Sequence, residues 1–157
     1  MAHDLLLVVH VAAGSVALIL GPLAMWAERW PPYRSRSGYA YCWSVLAVAL
    51  SALALVAFDA AALWWLAPLG VLAYGLALLG RAAPQWRGRG WIRAYAHGQG
   101  GSYIALVTAL LVVATAGPPM VLAWVVPTLV GLALIERRVM RLSAENPPPG
   151  ADPVAHA

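Results

Sequence analysis

The chain has 157 residues, of which 62% are hydrophobic and 10% are charged, and its formal net charge is +4. A soluble domain carries roughly 25% charged residues, so this chain has too little charge to cover a water-exposed surface. All ten basic residues are arginines, and they fall in three clusters between apolar runs. A nucleic-acid-binding protein gathers its basic residues on one solvated face, so we exclude nucleic acid as a partner. The composition predicts an all-α integral membrane protein.

Five apolar segments are predicted to cross the membrane, because a spanning helix needs about 20 predominantly apolar residues. They are residues 5–26, 39–58, 61–80, 92–116 and 120–135. Proline and glycine occupy most of the gaps between them, as in Pro31-Pro32 and Pro118-Pro119. The fifth segment is the shortest and contains Pro127. We therefore predict one five-helix domain over residues 1–142 and a disordered, proline-rich cytoplasmic tail over residues 143–157.

The arginine clusters predict the orientation of the bundle. They follow the first, third and fifth segments, whereas the short connections after the second and fourth segments contain no arginine. The clusters are Arg29, Arg34 and Arg36; Arg81, Arg87, Arg89 and Arg93; and Arg137, Arg138 and Arg141. Because positively charged loops stay in the cytoplasm, the N-terminus is predicted outside and the C-terminus inside.

Small residues at helical spacing predict which helix faces pack together. In lipid, helices associate through small side chains that let their backbones approach closely. Gly14 and Gly21 supply such a face on the first segment, and Gly101 and Ala105 supply one on the fourth. The simplest arrangement pairs these two helices through their glycine faces.

Two layers of ionisable residues are predicted at opposite membrane faces. The outer layer contains His3, His10 and Asp59, as ligands or as a proton relay. The inner layer is a predicted binding site comprising His97, Glu28, Arg34, Arg36, Tyr39 and Tyr103. Ionisable residues within a membrane are costly and mark functional sites, although a lone histidine can also be a structural hydrogen-bonding group. Both interpretations of His10 and His97 stay open.

These histidines are compatible with several chemistries. Two imidazoles on one haem iron lie about 4 Å apart, because each metal–nitrogen bond is roughly 2 Å. His10 and His97 are predicted to be separated along the membrane normal by on the order of 15 Å, which argues against one haem between them. A lipid or quinone pocket near His97, Tyr39 and Tyr103 is an alternative. The sequence offers no metal-binding or catalytic motif, so no catalytic residue is assigned. Haem and quinone both stay open as cofactors.

Three stretches together carry a family resemblance. They run from His10 through Gly14 to Pro22, from Arg34 through Gly38 to Tyr41, and from His97 to Thr108. The chain resembles the small bacterial membrane proteins grouped as domain of unknown function 2306. One departure is that the basic residues before Gly38 are both arginines, where the family often has a His-Arg pair. The resemblance implies a multi-pass protein of the bacterial inner membrane and does not specify an activity.

The sequence thus predicts a small protein that binds rather than catalyses. We expect an accessory or binding subunit of a larger membrane complex, or a protein that interacts with lipid or quinone. Its partners would be membrane lipids together with further copies of the chain or other subunits. The alternative is a haem-binding redox protein or a transport or proton-relay component that uses His10 and His97.

Overall fold

The computed structural model describes residues 1–27, 31–58, 61, 64–86, 90–115 and 120–145. These residues form five α-helices and no strand. The helices are α1 (Ala2–Ala27), α2 (Pro31–Phe58), α3 (Leu66–Ala82), α4 (Trp91–Ala114) and α5 (Met120–Glu145), and a short 3-10 turn, Ala83–Gln85, follows α3. The prediction of an all-α protein is confirmed.

Four of these helices are long and apolar enough to cross a membrane. The spans are Ala2–Trp26, Arg36–Phe58, Leu66–Gln85 and Trp91–Ala114, which contain 20 to 25 residues with mean hydropathies from 1.3 to 2.2. Large apolar side chains are exposed along these helices, among them Leu5, Ile19, Leu50 and Val71. Such a surface suits a hydrocarbon environment better than water.

Helix boundaries differ from the sequence prediction in α2, α3 and α5, and α3 begins at Leu66 instead of residue 61. Pro31 and Pro32 were predicted as breakers, but α2 begins at Pro31. A helix tolerates proline in its first turn, because the missing N–H would have no intrahelical acceptor there. The helix α5 continues through Pro127 and ends at Glu145, three residues into the predicted tail. Residues 146–157 lie outside the described residues.

Consecutive helices pack against each other in an antiparallel succession. The extensive interfaces join α1 to α2, α2 to α3, α3 to α4 and α4 to α5, whereas α1 and α4 touch only slightly. The first four helices therefore form a ring that is weakly closed between α1 and α4, and α5 lies outside this ring against α4. The "His10 end" is the end that contains the N-terminus of α1, and the "His97 end" is the opposite one.

The closest helix approach joins α3 to α4, not α1 to α4. A Cβ added at Gly80 would lie 2.6 Å from the main-chain nitrogen of Gln99, and one added at Gly98 would lie 2.6 Å from Cα of Gly80. These two glycines thus pack backbone against backbone. Gly101 lies on the same interface, against the side chain of Leu76. The predicted pairing through the α1 and α4 glycine faces differs from this arrangement, because Gly98 and Gly101 of α4 face α3.

Glycines also form the contact between α4 and α5. The side chain of Ile135 on α5 occupies the space beside Gly100, and the side chain of Ile104 on α4 occupies the space beside Gly131. Each isoleucine therefore fills a notch that a glycine leaves in the facing helix, which fixes the register of α5 on the ring.

Candidate functional site

A cavity of about 430 Å³ lies inside the ring at the His10 end. All four ring helices line it, and most of the lining is aliphatic, with Leu18 from α1, Val48 from α2, Leu69 from α3 and Leu106 from α4. Its volume lies within the range of about 300–1,000 Å³ that is typical of small-molecule sites. An apolar lining of this kind favours apolar molecules over water.

His10 is the most buried ionisable group on this cavity. Its ring borders the cavity, and its Nδ1 atom lies 2.9 Å from Oγ of Ser51 on α2. Oγ of Ser51 is also 2.7 Å from the main-chain oxygen of Ala47 and 3.0 Å from that of Val48. Ser51 is 5% exposed, so this hydrogen-bonding group is held inside the bundle.

The cavity opens sideways between α1 and α4. Four of its aliphatic lining residues have exposed side chains: Leu7 (45%) and Val11 (58%) on α1, and Leu110 (51%) and Val113 (59%) on α4. The slight contact between these two helices leaves this gap. In a membrane-spanning bundle, the opening would face the hydrocarbon chains of the lipid.

Gly14, which was predicted to pack against a neighbouring helix, borders the cavity instead. A Cβ added there would meet no atom within 4 Å. Ala105 also borders the cavity and is buried. Gly21, the other predicted packing residue of α1, lies against the rings of Tyr103 on α4 and Tyr41 on α2. The face of α1 that contains Gly14 and Gly21 therefore lines the cavity in the first half of the helix. In the second half of the helix it packs closely against α2 and α4.

The other two predicted outer residues add little to the cavity. His3 lies at its margin, where its ring meets that of Phe58 edge-on at 6.0 Å between centroids. Nδ1 of His3 is 3.7 Å from the carboxylate of Asp4, and both side chains are largely exposed. Asp59 lies outside the described residues.

His97 makes its contacts at the other end of the bundle and outside the ring. Its Nδ1 atom lies 2.9 Å from the main-chain oxygen of Arg93, and its Nε2 atom lies 3.3 Å from Oε1 of Glu136 on α5. Both ring nitrogens thus lie near oxygen atoms, one on its own helix and one on α5. Glu136 is absent from the predicted site, although it is the only acidic residue near the end of the fifth apolar segment.

Among the other predicted inner residues that the structure describes, Tyr39 and Tyr103 contact residues other than His97, and Tyr103 lies against Gly21. The guanidinium of Arg81 on α3 stacks on the ring of Tyr39 at 4.3 Å from its centroid. The side chain of Arg36 is exposed. Glu28 and the side chain of Arg34 lie outside the described residues. No lining residue of the cavity comes from this predicted inner cluster.

Two further polar contacts connect helices toward the His97 end. The hydroxyl of Tyr41 lies 3.0 Å from Oγ of Ser102, and both side chains are fully buried. Nη2 of Arg138 on α5 donates to the main-chain oxygen of Met25 at 2.8 Å. This guanidinium lies where the carbonyls of the last α1 turn need a donor, so it caps that helix.

The described residues contain no group of three or more His, Cys, Asp or Glu side chains that could hold a metal ion. The single cysteine, Cys42, is buried. What the arrangement offers chemically is an apolar cavity with the imidazole of His10 in its wall and that of His3 at its margin, and separate polar contacts that hold the helices together.

Comparison with known proteins adds no relative to this picture. No family model, no curated protein and no solved structure matches the chain.

Proposed function

We propose that the chain is a multi-pass membrane protein that binds a lipophilic small molecule in the cavity between α1 and α4. The observation that carries this proposal is the apolar cavity of about 430 Å³ with His10 in its wall. Small-molecule sites combine a mostly apolar lining with a few polar groups that orient the ligand. This proposal keeps the class of ligand that the sequence suggested, a lipid or quinone. It places the binding site at His10 instead of His97.

The membrane arrangement belongs to the same proposal. All five helices cross the membrane, with the N-terminus outside and the C-terminus inside, because every arginine cluster then lies in the cytoplasm. The cavity accordingly lies in the outer half of the bilayer. The resemblance to domain of unknown function 2306 supports a bacterial inner-membrane location.

The binding role suits a subunit of a larger membrane complex as well as a protein that acts alone. We favour it over a redox or transport role shared by His10 and His97. Those histidines contact separate groups, Ser51 for one and Glu136 for the other, and only His10 borders the cavity. An absorption spectrum of the purified protein tests the redox alternative directly, since a Soret band would establish haem.

The experiment compares ligands that co-purify with two leucine variants. Gly14→Leu projects a side chain into the cavity, whereas Gly75→Leu projects one from an exposed position of α3 with no atom near its Cβ. Each protein is purified in mild detergent, extracted with organic solvent and examined by mass spectrometry. We expect wild type and Gly75→Leu to retain the same lipophile, and Gly14→Leu to lose it by about tenfold or more, a change of roughly 1.4 kcal/mol.

Circular dichroism of both variants shows whether the fold is kept. Equal retention by a folded Gly14→Leu variant would contradict the proposal. So would an extract of the wild-type protein that contains only the bulk lipids of the membrane, in their bulk proportions.

A further inference from the structure

We infer that Nε2 of His10 accepts a hydrogen bond from the ligand, so that the cavity selects a lipophile with a hydroxyl group. This inference rests on the proposed function and specifies the class of molecule that the site takes. The selected class comprises long-chain alcohols, quinols and other single-chain hydroxyl lipids. An oxidised quinone or an ether, which has no O–H or N–H donor, is disfavoured.

The first step concerns the hydroxyl proton of Ser51. Its Oγ lies 2.7 Å from the carbonyl oxygen of Ala47, and two oxygens this close need a hydrogen between them. The carbonyl has no proton, so the serine donates. A serine hydroxyl has only one proton. It is used on α2 itself, shared between the carbonyls of Ala47 and Val48.

The second step fixes the tautomer of His10. Because Ser51 has no proton left, its oxygen can only accept from Nδ1 of His10 at 2.9 Å. Nδ1 must therefore carry hydrogen. In the neutral ring, the other nitrogen is then an acceptor. A hydrogen bond to one ring nitrogen sets the role of the other in the same way in metal sites.

The third step places this acceptor at the cavity. His10 is one of the residues that line the cavity, and its hydrogen bond to Ser51 is made through Nδ1 and not through Nε2. Besides His10, the polar side chains on the lining are those of His3 and Ser15. The hydroxyl of Ser15 donates to the carbonyl oxygen of Val11 at 2.9 Å, so its proton is also used within its own helix. The deep part of the cavity thus presents a lone pair and no free donor.

The opening between α1 and α4 completes the description of the ligand. Its edges are the exposed aliphatic side chains of Leu7, Val11, Leu110 and Val113. A molecule that comes from the bilayer can pass between them without entering water. Its hydroxyl then donates a hydrogen bond to Nε2. In hydrocarbon the same hydroxyl would have no hydrogen-bond acceptor.

The tautomer is tested without any ligand, by ¹⁵N NMR of histidine-labelled protein in detergent. Wild type and His10→Phe are compared to assign the His10 signals. We expect a protonated Nδ1 and an unprotonated Nε2 in His10, and a mixture of tautomers in Ser51→Ala. A His10 ring with its proton on Nε2 in the wild-type protein would overturn the inference.

Ligand selection is tested with dodecanol and dodecyl methyl ether, in which a methyl group replaces the hydroxyl proton. Binding is followed by the rise in thermal stability across a titration. We expect wild type to bind the alcohol about five- to tenfold more tightly, as one hydrogen bond provides. His10→Phe keeps an aromatic ring at the site and is expected to bind both compounds equally. The Nε2 signal should shift with the alcohol and not with the ether.

The outcomes separate this inference from the proposed function. If both compounds bind wild type equally and Gly14→Leu binds neither, the cavity binds apolar chains and the role of His10 is wrong. If neither compound binds wild type, the proposed binding function itself is contradicted.

Discussion

Replacing Gly80 with alanine tests the close contact on which the helix ring depends. The new Cβ would lie 2.6 Å from the main-chain nitrogen of Gln99 and 3.1 Å from its Cα. Ordinary contacts between heavy atoms lie near 3.5–4.0 Å, so α3 and α4 must separate locally by roughly 1 Å. Because the opposing atoms are main chain, no side-chain rotation can relieve the contact. The matched control is Gly75→Ala on the same helix, where a Cβ meets nothing within 4 Å.

The magnitude follows from two opposing contributions. Overpacking a well-packed contact costs about 1–3 kcal/mol, and a backbone contact belongs in the upper part of that range. Alanine in place of glycine within a helix recovers up to about 1 kcal/mol. We therefore expect Gly80→Ala to lower the free energy of unfolding by roughly 1–2 kcal/mol. Gly75→Ala has only the second contribution, so it should leave stability unchanged or raise it slightly.

Thermal unfolding in one detergent, followed by circular dichroism, measures the difference. A change of 1 kcal/mol moves the Tm of a chain of this size by about 2–4 °C, so Gly80→Ala should unfold several degrees below Gly75→Ala. Gly98→Ala, on the facing helix, should behave like Gly80→Ala. If the Gly80 and Gly75 variants unfold at the same temperature, the close approach of α3 and α4 is wrong.

Three further substitutions rank the polar contacts by their burial. Arg138→Ala removes the donor that caps α1, so we expect proteases to cut α5 faster in this variant. The control is Arg141→Ala, because the side chain of Arg141 is exposed. Equal digestion of the two variants would contradict the capping role. Tyr41→Phe deletes a buried interhelical hydrogen bond, and denaturation should show a loss of about 0.6–1.5 kcal/mol, with no loss refuting the contact. His97→Ala breaks a largely exposed pair worth about 0.2–1 kcal/mol, so its Tm should fall less than that of Gly80→Ala, and a larger fall would show that the pair is structurally essential.

The helical, membrane-compatible character of the chain was predictable from composition, because that character depends on the amount of apolar surface and on segment length. Most helix boundaries also followed from proline and glycine positions. The prediction failed at Pro31, where a proline begins a helix instead of preceding one, since the same residue suits both a gap and a first turn.

The candidate site was only partly predictable. His10 stood out, because an ionisable residue in an apolar segment is rare, but its partner Ser51 is distant in sequence. The inner site predicted around His97 did not anticipate Glu136 or the pairing of Tyr39 with Arg81. Depth along the membrane can be read from residue number, whereas rotation about the helix axis cannot. Two residues at the same depth can therefore face different neighbours.

The apolar helices and the three arginine clusters follow from residue type and order alone. The roles of the glycines depend instead on how the helices pack: Gly80 and Gly98 join α3 to α4, while Gly14 borders a cavity. A missing side chain permits either close packing or open space, and the position of the neighbouring helix decides between them.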